Sequence, residues 1–218
     1  MTRLQRGLSK VAVFIACSLV FVLVVLRAME FGDFSLGPNP VAELIDTLGK
    51  TALNILLITL AVSPLRRLTR WNVLVIYRRM LGLFSFFYLL LHFSAYAILD
   101  LELAWSTIFV DITQRPYTIV GMLALLLMIP LAVTSTHGFQ RRLKRNWTRL
   151  HRSVYAVGIL GVTHYLWQTK LDTLEPLIYA GILGALLGER LWRRLRRISR
   201  ARHQATDSDS VQAPQRAQ

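Results

Sequence analysis

Histidines 151 and 164 stand thirteen residues apart on one apolar stretch, RLHRSVYAVGILGVTHYLW, and His92 stands in another, LLLHFSAY. An ionisable ring among apolar side chains calls for a partner, and neutral imidazole is the common nitrogen ligand of haem iron. At 1.5 Å rise per residue, helices entering near Arg79 and Leu150 carry His92 about 20 Å and His164 about 21 Å below one face. The two rings then share a depth on different helices, as the two axial ligands of one six-coordinate haem must. A pair of polar side chains hydrogen-bonded across a helix interface would use the same positions. Gly158 and Gly161 remove bulk on the approach to His164, either for a flat macrocycle or for close helix packing. His151 is a third candidate ligand of haem iron. It sits near the same face among Arg149 and Arg152, where a solvated histidine needs no metal. A mate thirteen or fourteen residues before His92 would be Arg79 or Arg78, neither able to bind iron, while His137 has a suitable depth. On a straight helix His151 and His164 point about 140° apart, so a shared pocket would need a bend.

These side chains have to be positioned by membrane-spanning helices. The 218 residues are 54% hydrophobic, and six apolar runs, at about 11–27, 41–62, 80–99, 117–135, 150–168 and 176–192, are expected to be long and apolar enough to span a bilayer core. The predicted fold is all-α, a polytopic six-helix transmembrane bundle over residues 1–202, with a disordered tail at 203–218. A signal peptide is disfavoured because VVLRAME is a poor cleavage site. The net charge of +14 comes in short clusters flanking apolar runs, which argues for membrane topology and against nucleic acid. Arg66, Arg67, Arg70, Arg78 and Arg79, then Arg141, Arg142, Lys144, Arg145 and Arg149, alternate with connections rich in Asp and Glu. The basic ends, and with them both termini, are expected on the cytoplasmic side. Asn39-Pro40 should start the second helix and Ser63-Pro64 end it; Pro130 should kink the fourth.

Other polar groups have ordinary explanations. Cys17 is the single cysteine, which excludes disulfides and cysteine-based clusters, and it reads as a small buried hydrophobe. Asp46, Lys50 and Asn54 share a face of the second helix and read as an interfacial ion pair, with a quinone or propionate contact as the sharper option. Arg78 and Arg79 could meet haem propionates or a flavin phosphate, although topology alone accounts for them. Trp71, Trp105, Trp147, Tyr165 and Trp167 read as interfacial belt residues. There is no internal repeat, phosphate loop, dinucleotide glycine pattern or nucleophile elbow.

The stretches LGKTALNILLITLAVSPL, RRMLGLFSFFYLLLHFSAYAILDL, RPYTIVGMLALLLMIPLAVTST, WTRLHRSVYAVGILGVTHYLWQTK and PLIYAG, in this order and spacing, resemble the MsrQ (YedZ) family of the ferric-reductase-like transmembrane superfamily. The resemblance implies a multi-pass protein of the bacterial inner membrane carrying haem b and FMN. It would take electrons from the quinone pool or a cytoplasmic flavin reductase and pass them to a periplasmic molybdopterin subunit that reduces methionine sulfoxide in oxidised proteins. The family's functional histidines fall on His92, His151 and His164. The chain would be the electron-transfer subunit and not the catalytic one. Larger relatives have a fourth histidine and a fused flavin module, both missing here. A stand-alone transmembrane ferric or quinone reductase is the alternative, and a small permease a weaker one.

Overall fold

The computed structural model describes residues 2–29, 38–169 and 173–212, the last twelve by backbone only. Among the described residues every regular element is helical: α1 (Arg3–Ala28), α2 (Pro40–Thr69), α3 (Arg78–Ala95), α4 (Trp105–Gln114), α5 (Pro116–Val133), α6 (His137–Leu143), α7 (Arg145–Leu150), α8 (Val154–Gln168) and α9 (Leu174–Gln212). A 3₁₀ segment, Asn72–Tyr77, precedes α3 and a π turn, Tyr96–Asp100, continues it. Among the described residues four segments are long and apolar enough to cross a membrane: Arg3–Ala28, Pro40–Thr69, Asn72–Asp100 and Pro116–Val133. The fifth expected span corresponds to the short α8, led in by a 3₁₀ turn at His151–Ser153. The sixth lies inside α9, which runs on through part of the expected tail to Gln212; residues 213–218 lie outside the described ones.

The core is built from two antiparallel helix pairs, α2 with α3 and α5 with α8. Leu53, Leu56, Leu57 and Leu60 of α2 pack against Met128 and Leu131 of α5, Val157 and Val162 of α8, and Leu183 of α9. Gly158 allows that closeness: a Cβ there would stand 3.2 Å from Leu183. The outward faces of the helices remain apolar, as lipid-facing surfaces must. Helix α1 lies at the edge, tied to α3 by the Tyr88 hydroxyl, which donates to the Cys17 carbonyl at 2.6 Å, and by edge-on Phe14–Phe84 and Phe21–Phe87 contacts. Cys17 is buried, as expected of a small hydrophobe.

Helix α2 starts as its sequence indicates, with the Asn39 side chain accepting from Ala42 and Pro40 in the first turn. It does not end at Ser63-Pro64. Proline lacks the N–H that would bond the carbonyl four residues back, and here that carbonyl, Leu60 O, is supplied from another helix. Arg190 of α9 donates to it at 2.5 Å, with its guanidinium 4.9 Å from the Tyr155 ring centre. The helix therefore continues to Thr69. Leu60 is fully buried, so Arg190→Met should cost about 2 kcal/mol by leaving that carbonyl unpaired. The loss should shrink in a Pro64→Ala background, which restores the local donor. Thermal unfolding of the four proteins in detergent would measure it, and equal losses in both backgrounds would refute this role for Arg190.

Candidate functional site

His92 and His164 come together between the two helix pairs, and each ring is held in the same way. His92 Nδ1 lies 2.8 Å from the Ile45 carbonyl at the start of α2, and His164 Nδ1 lies 2.6 Å from the Tyr117 carbonyl at the start of α5. A carbonyl only accepts, so each Nδ1 carries the hydrogen and each Nε2 keeps its lone pair, the tautomer of a metal-ligating histidine with an outer-shell carbonyl. The ring centres are 6.2 Å apart with planes at 84°. Two nitrogen–metal bonds of about 2 Å and the half-widths of two five-membered rings, roughly 1 Å each, place ring centres about 6 Å apart across one metal ion.

Glycine makes room for both rings. A Cβ on Gly49 would stand 2.9 Å from His92 Nδ1, and one on Gly121 would stand 2.8 Å from His164 Nδ1. Neither glycine was singled out from the sequence, yet a signal was there. Ile45, Gly49 and His92 recur as Tyr117, Gly121 and His164, each 72 residues on, and G-x-x-A-L occurs at both 49–53 and 121–125. The absence of an internal repeat therefore needs correcting: the α2/α3 and α5/α8 pairs present their histidines by one repeated device. Only a few side chains repeat, because the rest of each pair packs against different neighbours.

Two narrow cavities flank the rings. One, of about 70 Å³, is lined by Asp46, Lys50, Ser85 and Tyr165 besides both histidines; the other, of about 120 Å³, by Tyr96, Tyr117, Thr118 and Gly121. Gly161 and Gln168 line both. Thr118 Oγ1 is, among the described residues, a buried side-chain oxygen with no hydrogen-bond partner. The donor set, the ring spacing, the glycine cradles and this orphaned oxygen fit a haem. The cavity volumes are well below the ~300 Å³ of an ordinary small-molecule pocket, so a macrocycle requires the lining side chains to move apart.

At the mouth of the first cavity Lys50 Nζ lies 3.0 Å from Asp46 and 2.8 Å from Glu175. The expected ion pair on helix α2 is present and gains a second carboxylate from the start of α9, while Asn54 is exposed. The Lys50 ammonium, and after it the Tyr165 hydroxyl, hold the Glu175 carboxyl below the usual carboxylate range. Tyr165 is buried, not a belt residue.

His151 lies apart from this pair, at the arginine-rich end. Its ring stacks on Trp147 at 4.1 Å, and its Nε2 is 3.1 Å from Thr134 Oγ1. The Thr134 hydroxyl donates to the Pro130 carbonyl, so it accepts from His151 Nε2–H. Trp147 in turn donates to the Thr134 carbonyl, which makes it part of this site and not of the belt. His151 and His137 border a larger cavity of about 640 Å³, together with Lys10, Arg78, Arg79 and Arg152. At the 72-residue offset, Arg79 is the counterpart of His151. No group of three or more His, Cys, Asp or Glu able to hold a metal occurs among the described residues.

Residues 48–162 match the family model for the ferric reductase like transmembrane component, a stretch that includes His92 and His151 and stops just short of His164. The "Protein-methionine-sulfoxide reductase heme-binding subunit MsrQ" of Xanthomonas campestris pv. campestris (strain B100) is 54% identical over 175 residues, 80% of each chain. The protein of the same name from Rhodospirillum rubrum is 48% identical over 191 residues, 87% of this chain and 90% of the relative. The chain belongs to the MsrQ family. A further member, from Xanthomonas axonopodis pv. citri, is 53% identical over 169 residues. No solved structure matches the chain. Membership of a transmembrane family and the four apolar helices agree that this is a membrane protein.

Proposed function

We propose that the chain is a b-type cytochrome subunit, with His92 and His164 as axial ligands of a haem b. The observation that carries this is the 6.2 Å spacing of two rings whose Nδ1 atoms are both committed to carbonyls. Haem bound there would supply a one-electron ferric/ferrous couple. The protein fixes the two ligands, excludes water with the leucines of α2 and α3, and makes no or breaks no substrate bond itself. Six spans over residues 1–202 with both termini cytoplasmic, in a bacterial inner membrane, would place this pair toward the periplasmic face, near the acidic connections.

Electrons would come from the quinone pool or a cytoplasmic flavin reductase and leave to a periplasmic molybdopterin subunit that reduces methionine sulfoxide; relatives named as heme-binding subunits of a methionine-sulfoxide reductase support a role beside such a catalytic subunit. FMN belongs to the same proposal. The cationic cavity beside His151, with Arg78, Arg79, Arg152 and the stacked Trp147, supports a site for its phosphate and ring, and His151 is the third cofactor-binding residue.

Detergent-purified protein expressed with ample haem supply should show a Soret band and an α band that sharpens on reduction with dithionite. A colourless protein would overturn the cytochrome proposal and return weight to a permease. Reoxidation that a periplasmic methionine-sulfoxide reductase does not accelerate would favour the stand-alone reductase.

A further inference from the structure

The polar groups around the histidine pair are not spread evenly. Lys50 lies near the start of α2, Thr118 near the start of α5, and Gln168 ends α8, so all three stand at the same end of the bundle. The opposite walls of both cavities are leucine, alanine, methionine and valine, with Ser85 the polar exception, its hydroxyl already donated to the Ala52 carbonyl at 2.9 Å. Among the described residues Lys50 is the one cation bordering either cavity. Thr118 Oγ1, in the other cavity, is a buried oxygen without a partner among the described residues. Gln168 borders both and bridges the interval between them.

Haem b carries two carboxylates on one edge and is apolar elsewhere. Carboxylates inside a low-dielectric bundle need a cation and hydrogen-bond donors, and this end alone offers them. Resting on the cytochrome proposal, we propose that Lys50 is the counter-ion of one haem carboxylate, with Thr118 and Gln168 donating to the other, so that the carboxylate edge faces the end where α2 and α5 begin. Asp46 and Glu175 then compete with the haem for Lys50. Glu175 is the partner that can give way, since it comes from another helix across a partly exposed bridge, 31% and 42% accessible on the two sides. A purely structural role for Lys50, clamping α2 to α9, would use the same bond but would be indifferent to the cofactor's carboxylates.

The test compares iron protoporphyrin IX with its dimethyl ester, which keeps the iron and macrocycle and removes both negative charges. Full-length protein is loaded with each, and the rate of transfer to apomyoglobin is followed by absorbance. Wild type should lose the ester roughly ten times faster than the free acid, in line with one charge-assisted hydrogen bond at a partly solvated site. Lys50→Met should lose the free acid faster and keep only the part of the discrimination that Thr118 and Gln168 supply, Lys50→Arg should restore most of the discrimination, and Glu175→Gln, which removes one of the two carboxylates competing for Lys50, should hold the free acid at least as tightly as wild type. Equal retention of acid and ester by wild type, or undiminished discrimination in Lys50→Met, would overturn the assignment. A Glu175→Gln protein that loses haem as Lys50→Met does would show Lys50 to be a structural clamp. A wild type that takes up neither compound refutes the cytochrome proposal itself, a different outcome from any of these.

Discussion

Replacing either His92 or His164 with alanine should remove most of the haem, lowering cofactor content per polypeptide by an order of magnitude or more, while His151→Ala keeps a substantial fraction. The asymmetry follows from the geometry. The first two ring centres stand 6.2 Å apart and each ring commits its Nδ1 to a carbonyl, which leaves Nε2 for iron, so under the cytochrome proposal loss of one leaves the other as a lone ligand in an apolar slot. His151 is occupied otherwise: its Nε2 bonds Thr134 and its face lies on Trp147. Pyridine haemochrome quantification of the three purified variants measures the difference. Equal loss in all three would mean that the ligands are assigned wrongly.

Alanine at Gly49 or Gly121 should lower haem retention roughly 10-fold, as expected for displacing an outer-shell contact of a ligating histidine. A Cβ at either position would come within 2.9 Å of an imidazole already tied to a carbonyl, so the ring must turn and surrender that bond. The same change at Gly181, where a Cβ would meet nothing within 4 Å, should leave haem untouched and stabilise the helix by up to about 1 kcal/mol. Haem content together with helical circular dichroism separates the two effects. Full retention in both Gly49→Ala and Gly121→Ala would show that the rings have more freedom than their contacts indicate.

The all-helical character, four of the six expected spans, the histidines at a common depth and the Asn39-Pro40 start were legible in the chain because each depends on neighbours within a few turns. The pairing of Lys50 with Asp46 was legible for the same reason, being an i, i+4 contact on one helix face. Where the sequence misled, a distant segment had intervened. Pro64 reads as a stop only while its orphaned carbonyl lacks a donor, and Arg190 provides one from 130 residues away. Trp147 looks like any belt tryptophan until Thr134 and His151 are beside it. Tyr165 likewise looks interfacial until α2 and α9 bury it.

By itself, then, the order of residues determined an all-helical membrane protein with His92 and His164 at one level, since hydrophobic run length and helical rise are local quantities. Only the tertiary structure decided that the two ring centres stand 6.2 Å apart, each against a glycine and a carbonyl of the helix paired with its own, and that His151 belongs to a different cavity. Those facts depend on how far apart helix axes lie and how each is rotated, and packing between segments sets both.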